Sequence, residues 1–296
     1  MNPKYFLSLC VLILGIPAFS SAQESLIADG ATVKKLHGDF EFIEGPVADP
    51  EGNVYFSDIP ANKVYIWTVD GKLKLFRENT GGANGLNFDA DGNLYFCEGT
   101  VQRVTMMDKD GKLTTIVDKY KGKRLNSPND LWFDSKGGFY LTDPRYQFFT
   151  HPVEQDGEHV YYISPDRKSI TRVTTDVQKP NGVVGSLDFK TLYVASTSGK
   201  IFSFDINADA TLSNKKEFAN LGSDGVTLDE KGNLYLTWVG GVHVYNPKGE
   251  KIEMIKVPEM PANCGFGGKD GKTLFMTSRM GLYAIDMNVH GYNTIK

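Results

Sequence analysis

Residues 43–58 read IEGPVADPEGNVYFSD, in which two short apolar runs flank the turn-forming segment DPEGN. The same pattern of two apolar runs around a turn occurs five more times along the chain. The further copies begin at residues 83, 128, 180, 223 and 262 and read ANGLNFDADGNLYFCE, PNDLWFDSKGGFYLTD, PNGVVGSLDFKTLYVAS, SDGVTLDEKGNLYLTW and ANCGFGGKDGKTLFMTS. Successive copies are about 40 to 50 residues apart, which is the length of a four-stranded propeller blade. The sequence therefore predicts six blades.

The second copy indicates the order of strands within one blade. GLNFD, LYFCEG, RVTMMD and KLTTIVD are short apolar, aromatic and β-branched runs separated by turns that contain Gly and Asp. No long stretch beyond the N-terminus has apolar residues at helical spacing, which disfavours an α/β barrel. We expect an all-β fold, a six-bladed β-propeller formed as a single domain by residues 23–296. Because too little chain follows the last copy, the strand-like residues 31–42 are expected to close the ring by pairing with the C-terminal blade.

The first 22 residues have the pattern of a secretory signal peptide. A lysine precedes an apolar run, and a small-x-small pattern ends the segment. The apolar run covers residues 5–16, which is shorter than the roughly 20 residues of a membrane-spanning helix. We therefore expect cleavage of residues 1–22, a secreted or periplasmic protein, and no stable membrane insertion once the leader is removed.

The charge balance disfavours nucleic acid as a partner. The formal net charge is −4, and the Lys and Arg residues are scattered rather than clustered. A small-molecule partner is expected instead. Without the leader only Cys97 and Cys264 remain, too few for a disulfide scaffold. Whether these two pair, and the oligomeric state, stay open.

One phase of the repeat carries side chains with oxygen atoms. In a propeller, residues at the same phase occupy equivalent places on successive blades, so this phase predicts a ring at one mouth of the central channel. The ring positions are Glu44, Asn84, Asn129, Asn181, Asp224 and Asn263.

Turn formation is the alternative explanation for Asn and Asp in this pattern. It accounts well for Asp89, Asp91, Asp134 and Asp229, which lie in the hairpin turns. It accounts poorly for Glu44, since Glu is a poor turn former and yet takes the same phase. Carboxylates and amide oxygens facing a narrow channel indicate a hard cation, namely calcium, magnesium or manganese. None of the five His residues falls in the ring, which disfavours zinc.

The motifs EGPVADPEGNVYFSD, GKRLNSPNDLWFDSKGGFYLTDPRY, KPNGV, SDGVTLDEKGNLYLT and CGFGGKDGKTLFMTS resemble those of the gluconolactonase family, the regucalcin-like sugar lactonases. The resemblance implies a six-bladed propeller that hydrolyses sugar lactones with one divalent cation in the channel. It implies Ca²⁺ first, with Mg²⁺, Mn²⁺ or Zn²⁺ as alternatives. The implied metal ligands are Glu44, Asn129, Asn181 and Asp224, and Asp224 is also the acid that serves the attacking water.

The resemblance and the repeat together suggest where a sugar lactone binds. Arg124 matches a basic residue that the family places near substrate, with an exposed loop position as the alternative. Asn84 and Asn263 complete the ring without matching family ligands, so we assign them to substrate or water contacts, with turn capping as the alternative. Tyr146 lies in the longest insertion, together with Phe148, Phe149 and His151, and this loop could cover the channel; packing on neighbouring blades is the favoured alternative for Phe148 and Phe149. Aromatic faces suit sugar rings.

Three functional classes remain open on sequence grounds. The chain could be a metal-dependent lactone hydrolase, a promiscuous phosphotriester hydrolase, or a metal-stabilised propeller that binds a ligand without catalysis. Ser196 stands where many relatives have Asp, and SRMGL at residues 278–282 offers no His, which argues against a squid-type fluorophosphatase mechanism. The acidic ring favours a hydrolase, because a bound cation can polarise a lactone carbonyl and acidify water.

Overall fold

The computed structural model describes residues 24–146 and 150–292. The regular elements in these residues are all β-strands, and none of the described residues forms a helix long and apolar enough to cross a membrane. The predicted leader, residues 1–22, lies outside the described residues, as do Phe148 and Phe149.

Six four-stranded antiparallel sheets form the blades, each a meander as the sequence predicts. Strand β1 (Lys34–His37) precedes the first complete blade. Blade 1 contains β2 (Ile43–Ala48), β3 (Val54–Asp58), β4 (Lys63–Trp67) and β5 (Leu73–Glu78), and blade 2 contains β6 (Ala83–Phe88), β7 (Leu94–Glu98), β8 (Arg103–Met107) and β9 (Leu113–Val117). A small hairpin, β10 (Lys119–Tyr120) and β11 (Lys123–Arg124), leads to blade 3, which contains β12 (Leu131–Phe133), β13 (Phe139–Asp143), β14 (His159–Ile163) and β15 (Ile170–Thr174).

The second half of the chain repeats this arrangement. Blade 4 contains β16 (Pro180–Gly185), β17 (Thr191–Ser196), β18 (Lys200–Ile206) and β19 (Leu212–Ala219). Blade 5 contains β20 (Val226–Leu228), β21 (Leu234–Trp238), β22 (Gly241–Tyr245) and β23 (Lys251–Lys256), and blade 6 contains β24 (Asn263–Gly267), β25 (Thr273–Ser278) and β26 (Gly281–Asp286).

The N-terminal strand closes the ring. Strand β1 pairs antiparallel with β26, with Lys34 opposite Ala284 and Lys35 opposite Tyr283, and so becomes the outer strand of blade 6. This confirms the predicted closure. Because the chain runs on from β1 into blade 1, this pairing supplies the fourth strand of blade 6 and fastens the last blade to the first.

The apolar core lies between neighbouring blades rather than on the axis. The second strand of each blade is almost wholly buried: Phe96, Leu141 and Leu236, for example, are inaccessible to solvent. One cluster joins Val64 of blade 1 to Phe96 of blade 2, and the other clusters also bridge neighbouring blades or lie within them. Burial of apolar surface contributes about 25 cal/mol per Å². The contacts between blades therefore stabilise the ring.

The hairpin turns confirm the turn explanation for the acidic residues. The Asp89 carboxylate accepts the N–H groups of Asp91 at 3.0 Å and Asn93 at 2.9 Å. Asp134 and Asp229 accept the equivalent pairs of N–H groups in blades 3 and 5. These carboxylates are therefore occupied by the backbone, and they belong to the face opposite the ring.

The first strand of each blade lines the channel, and each contacts the first strand of a neighbouring blade. Below the ring the channel narrows to a small cavity of about 50 Å³, which Tyr292 lines together with Asp130 and Asn263. The Tyr292 N–H donates to the carbonyl of Leu228 at 3.1 Å, which anchors this tyrosine at the bottom of the channel. The upper face is therefore where the channel opens.

Candidate metal centre and substrate cavity

A cavity of about 1000 Å³ opens on the upper face of the channel. Its walls come from the segments that precede the first strands and from the turns between second and third strands. Five of the six predicted ring residues line it: Glu44, Asn84, Asn129, Asn181 and Asp224. The common phase of the repeat therefore brings these side chains together, although they lie up to 180 residues apart in the sequence.

Hydroxyl groups from neighbouring blades fix the backbone of the ring. Ser57 Oγ donates to the carbonyl of Asn84, and Thr142 Oγ1 donates to that of Asn181, both at 2.7 Å. Thr237 Oγ1 makes the matching bond to the carbonyl of Ala262 at 2.7 Å. All three hydroxyl residues are fully buried. Each bond ties one blade to the ring segment of the next, so the ring is positioned by contacts between blades.

Glycine after the first ring residue allows the closest approach between blades. Gly45 has a φ of +54°, and a Cβ atom there would lie 2.3 Å from the carbonyl oxygen of Asn84. No L side chain fits this position without moving the neighbouring blade. The β2–β3 pairing also shifts register between Glu44 and Val47, an irregularity that turns the Glu44 side chain towards the channel.

Two carboxyl groups lie on the cavity floor, that of Glu44 buried and that of Asp224 partly buried. Burial raises the pKa of Glu44 well above its usual range, and the charge of Asp224 raises it further. The N–H of Gly45 donates to Glu44 Oε2 at 3.0 Å, and a hydrogen bond from Asn263 also favours the ionised form. Burial raises the pKa of Asp224 too, while a hydrogen bond from Asn181 and the charge of Arg279 lower it. The floor thus carries two acidic groups, and Arg279 is a cationic side chain whose charge acts on Asp224.

Asn181 connects the carboxyl groups to the predicted lid. Its Nδ2 donates to the hydroxyl of Tyr146 at 2.5 Å, and its side chain also bonds to Asp224. Burial raises the pKa of Tyr146, and the charges of Asp224 and Glu44 raise it further, so the phenol stays protonated and lies close to both acids. The structure therefore places Tyr146 in the cavity wall, next to the ring rather than far above it.

A second network holds the segment that carries Asn129. The carboxylate of Asp143 accepts the N–H groups of Asn126 at 2.8 Å and Ser127 at 2.7 Å. Arg145 Nε donates to Asn126 Oδ1 at 3.0 Å, which links this segment to the start of the insertion. Asn129 itself donates its N–H to the carbonyl of Thr142 at 2.9 Å. These hydrogen bonds hold the backbone of residues 126–129, and the Asn129 side chain lines the cavity.

Two predicted substrate residues are placed differently from the rest. Asn263 does not line the upper cavity: its Oδ1 accepts the N–H of Cys264 at 2.8 Å, its amide bonds to Glu44, and it borders the small cavity below. Arg124 has an exposed side chain outside the cavity lining, and its N–H is bonded to Glu154 at 2.8 Å. Their substrate contacts stay predictions, and the geometry gives Asn263 a supporting position beside Glu44 instead.

Sequence reasoning missed Arg279 and the apolar wall. Arg279 lies over the ring of Phe42, with its Cζ 5.8 Å from the ring centroid, and its charge reaches Asp224. Phe42 lines the cavity together with Val101, and His151 of the long insertion lines it as well. Phe42, Val101 and Arg279 lie in turns and connections whose residue types differ from blade to blade, so no repeated residue marks them.

The donor set fits a hard divalent cation. The ring offers two carboxylates and several amide oxygens, which are the ligand types that calcium takes, and it offers no thiolate or imidazole. No cluster of three or more His, Cys, Asp or Glu suited to a metal occurs in residues 24–146 and 150–292, so the amide oxygens of Asn129 and Asn181 would have to complete the shell. Cys97 and Cys264 are both buried and free.

Comparison with known proteins gives the family. Residues 42–280 match the SMP-30/Gluconolactonase/LRE-like region, which is most of the chain. The chain belongs to this family. Among related sequences, the gluconolactonase of Zymomonas mobilis is 31% identical over 299 residues, which cover 89% of this chain and 83% of the relative.

Other members and relatives of the gluconolactonase family agree with this placement. The solved structure of a gluconolactonase from Xanthomonas campestris has a TM-score of 0.83 at 30% identity, covering 89% of this chain and 91% of that one. The diisopropyl-fluorophosphatase of Loligo vulgaris is 28% identical over 176 residues, which cover 53% of this chain and 55% of that enzyme. The match to the Xanthomonas structure covers most of the chain, and the match to the Loligo enzyme covers about half of each chain.

Proposed function

We propose that this protein is a hydrolase that opens sugar lactones with the help of one divalent cation, most readily Ca²⁺. The observation that carries the proposal is the floor of the upper cavity, where the buried Glu44 and the partly buried Asp224 lie beside amide oxygens in a gluconolactonase-family chain. Buried like charges repel unless a cation lies between them. Glu44, Asn129, Asn181 and Asp224 are the residues that would hold it.

The reaction adds water to the lactone carbonyl carbon and breaks the ring C–O bond, giving a hydroxy acid. When bound, the cation would supply positive charge near the carbonyl oxygen, where negative charge grows in the transition state. Asp224 takes the proton from the attacking water through its carboxylate, the role of a general base. Glu44 supplies the second negative charge that retains the cation.

The walls of the cavity position the substrate. Asn84 and Tyr146 present an amide and a phenol to the cavity, and both can bond to ring oxygens or hydroxyl groups of a sugar lactone. Binding in a defined orientation, with the carbonyl above the floor, places it within reach of water held by Asp224. Arg124 enters this account only if the β10–β11 hairpin approaches a bound substrate.

The test is hydrolysis of D-glucono-1,5-lactone, followed by proton release and corrected for spontaneous opening. The wild-type protein with Ca²⁺ should turn the lactone over, and Asp224→Asn should lose at least about a hundredfold in kcat. Asp70→Asn is the matched control, because Asp70 is an exposed turn residue far from the cavity. Equal rates in the three proteins would refute the assignment.

The phosphotriester and binding-only alternatives are separated by the same panel. Hydrolysis of a phosphotriester such as diisopropyl fluorophosphate, without lactone turnover, would select the first alternative. Ligand-dependent stabilisation without turnover of either substrate class would select the second. The Loligo relative motivates inclusion of the phosphotriester, although it matches only about half of the chain.

Export of the protein is a separate proposal. We infer from residues 1–22 that the chain is secreted or periplasmic after cleavage of a signal peptide. Mass spectrometry of protein recovered from the secreting cells should give a mature chain that begins near Gln23. A full-length chain retained in the cytoplasm would contradict this proposal.

A further inference from the structure

The cavity above the ring is much larger than a single sugar lactone requires. Its volume of about 1000 Å³ lies at the upper end of the roughly 300–1,000 Å³ that ligand pockets commonly have. One six-membered lactone ring on the floor would leave most of this space open. The chemistry of the remaining wall therefore indicates what else the substrate carries.

The wall is divided by polarity between the blades. On the side of blades 3 and 4 it presents Tyr146, Thr150 and Thr197 in addition to the ring amides. On the side of blades 1 and 2, besides Asn62 and Thr100, it presents an apolar cleft, which we define by Phe42, Ile59, Pro60 and Val101.

The described lining residues include no Lys or Arg. Arg279 lies outside the lining, against the Phe42 ring. A phosphate or carboxylate on the substrate would therefore find no counter-charge in this cleft.

The apolar cleft is held rigid by its own backbone. The N–H of Ile59 donates to the carbonyl of Phe42 at 3.0 Å, which joins two of its members. Asn62 Oδ1 accepts the N–H of Gly82 at 3.0 Å, which ties the blade 1 turn to the segment entering blade 2. A preformed wall loses little conformational entropy when a ligand binds.

Two glycines let the backbone of the cleft approach the blade 2 turn closely. A Cβ atom at Gly82 would lie 2.1 Å from Thr100 Oγ1, and the N–H of Thr100 donates to the carbonyl of Gly81 at 3.1 Å. The backbone thus packs directly on the turn that carries Val101. Val101 keeps 37% of its surface exposed there. An apolar group of a ligand could bury this surface.

We propose that the preferred substrate is an uncharged lactone with an apolar substituent, whose ring lies on the floor and whose substituent fills the apolar cleft. This inference rests on the proposed lactone hydrolysis and names its substrate class. It differs from the expectation of a free sugar lactone, because a substrate that carries only hydroxyl groups would leave the apolar surface of the cleft exposed to water. The substituent must be neutral, because burying a charge of either sign against this apolar wall is costly and the described lining residues offer no Lys or Arg to pair with an anion.

The test compares kcat/KM for δ-valerolactone, δ-octalactone and δ-decalactone, with D-glucono-1,5-lactone alongside. The ratio of δ-decalactone to δ-valerolactone should be at least about tenfold in the wild-type protein with Ca²⁺. Val101→Asp and Ile59→Asp should each reduce this ratio at least fivefold. Both side chains are partly exposed, so folding of the variants is checked by their Tm.

Val239→Asp is the matched control. Val239 is an exposed valine in the corresponding turn of blade 5 and does not line the cavity, so this variant should keep the wild-type ratio. Turnover of D-glucono-1,5-lactone with no gain from the alkyl chain would overturn the substrate class and leave lactone hydrolysis intact. Failure to hydrolyse any lactone would overturn the proposed function itself, and the inference with it.

Discussion

The carboxyl groups of Glu44 and Asp224 belong to blades 1 and 5, yet they face the same cavity floor, where the charge of Asp224 raises the pKa of Glu44. Residues 180 positions apart in the sequence are brought together because both hold the same phase of the repeat. Without a cation the two carboxylates repel each other, so binding of a cation between them should stabilise the protein.

Glu44→Gln removes one of these charges. The affinity for Ca²⁺ should fall at least about tenfold, because a carboxylate ligand becomes a neutral amide. The Tm of the metal-stripped protein should rise by a few degrees, since the repulsion from Asp224 is lost. Calorimetric titration and thermal denaturation measure the two effects. Unchanged affinity together with a lower Tm would argue for a purely structural role.

Thr142→Val tests how the ring is positioned. Thr142 Oγ1 donates to the carbonyl of Asn181 at 2.7 Å, and valine keeps the shape but not the donor. We expect a loss of about 1–2 kcal/mol in the free energy of unfolding and about a tenfold loss in kcat/KM. Thr114→Val, in an exposed outer strand, should change neither quantity. If the two variants behaved alike, the link between blades would not position the ring.

Glu98 tests the stability of blade 2. Its buried carboxylate accepts from Arg77 at 2.7 Å, Arg103 at 2.6 Å and Thr105 at 2.7 Å. Glu98→Ala should lower the free energy of unfolding by about 3–5 kcal/mol, because it leaves Arg77 as an unpaired charge that is nearly buried. Denaturation in urea measures this loss.

The control for Glu98 is an exposed ion pair in the neighbouring blade. Glu78 lies 4.0 Å from Lys63, and both side chains are exposed. Glu78→Ala should cost less than about 1 kcal/mol. A similar loss in both variants would mean that burial of the Glu98 network contributes nothing.

Asp143 predicts a dependence of stability on pH. Burial raises its pKa to about 7 in the folded protein, against about 3.9 in the unfolded chain. Between these values the unfolded state releases a proton that the folded state keeps, so stability should fall as pH rises from about 4 to 7. The contribution of this one group is on the order of 4 kcal/mol.

The measurement is urea denaturation across this pH window, with Asp143→Asn for comparison. The variant should be less stable overall, because its amide nitrogen faces the N–H groups of Asn126 or Ser127. Its pH slope should nevertheless be shallower than that of the wild-type protein. An unchanged slope would assign the titration to other groups.

The fold and the ring could be predicted from the sequence because both depend on repetition. The copies fix six blades, and their shared phase places Glu44, Asn84, Asn129, Asn181 and Asp224 around one cavity. The closure by β1 followed from counting strands, since the last copy lacked one.

The remaining features depend on contacts that a single phase cannot encode. Asn263 shares the phase, but its side chain bonds to Cys264 and Glu44 and therefore turns from the upper cavity. Arg124 lies on a hairpin whose position is set by two hydrogen bonds: its N–H donates to Glu154, and its carbonyl accepts from Gln155. The apolar cleft is built from connections that differ in every blade, so no pattern marks Phe42 or Val101 in advance.

The central claim is that one divalent cation in the ring enables hydrolysis. The most direct measurement titrates metal-stripped protein with Ca²⁺ and follows bound ion and D-glucono-1,5-lactone hydrolysis in the same samples. Both should rise together and saturate at about one ion per chain, and Glu44→Gln should shift both curves to higher Ca²⁺. Full hydrolysis by protein shown to hold no divalent ion would contradict the claim.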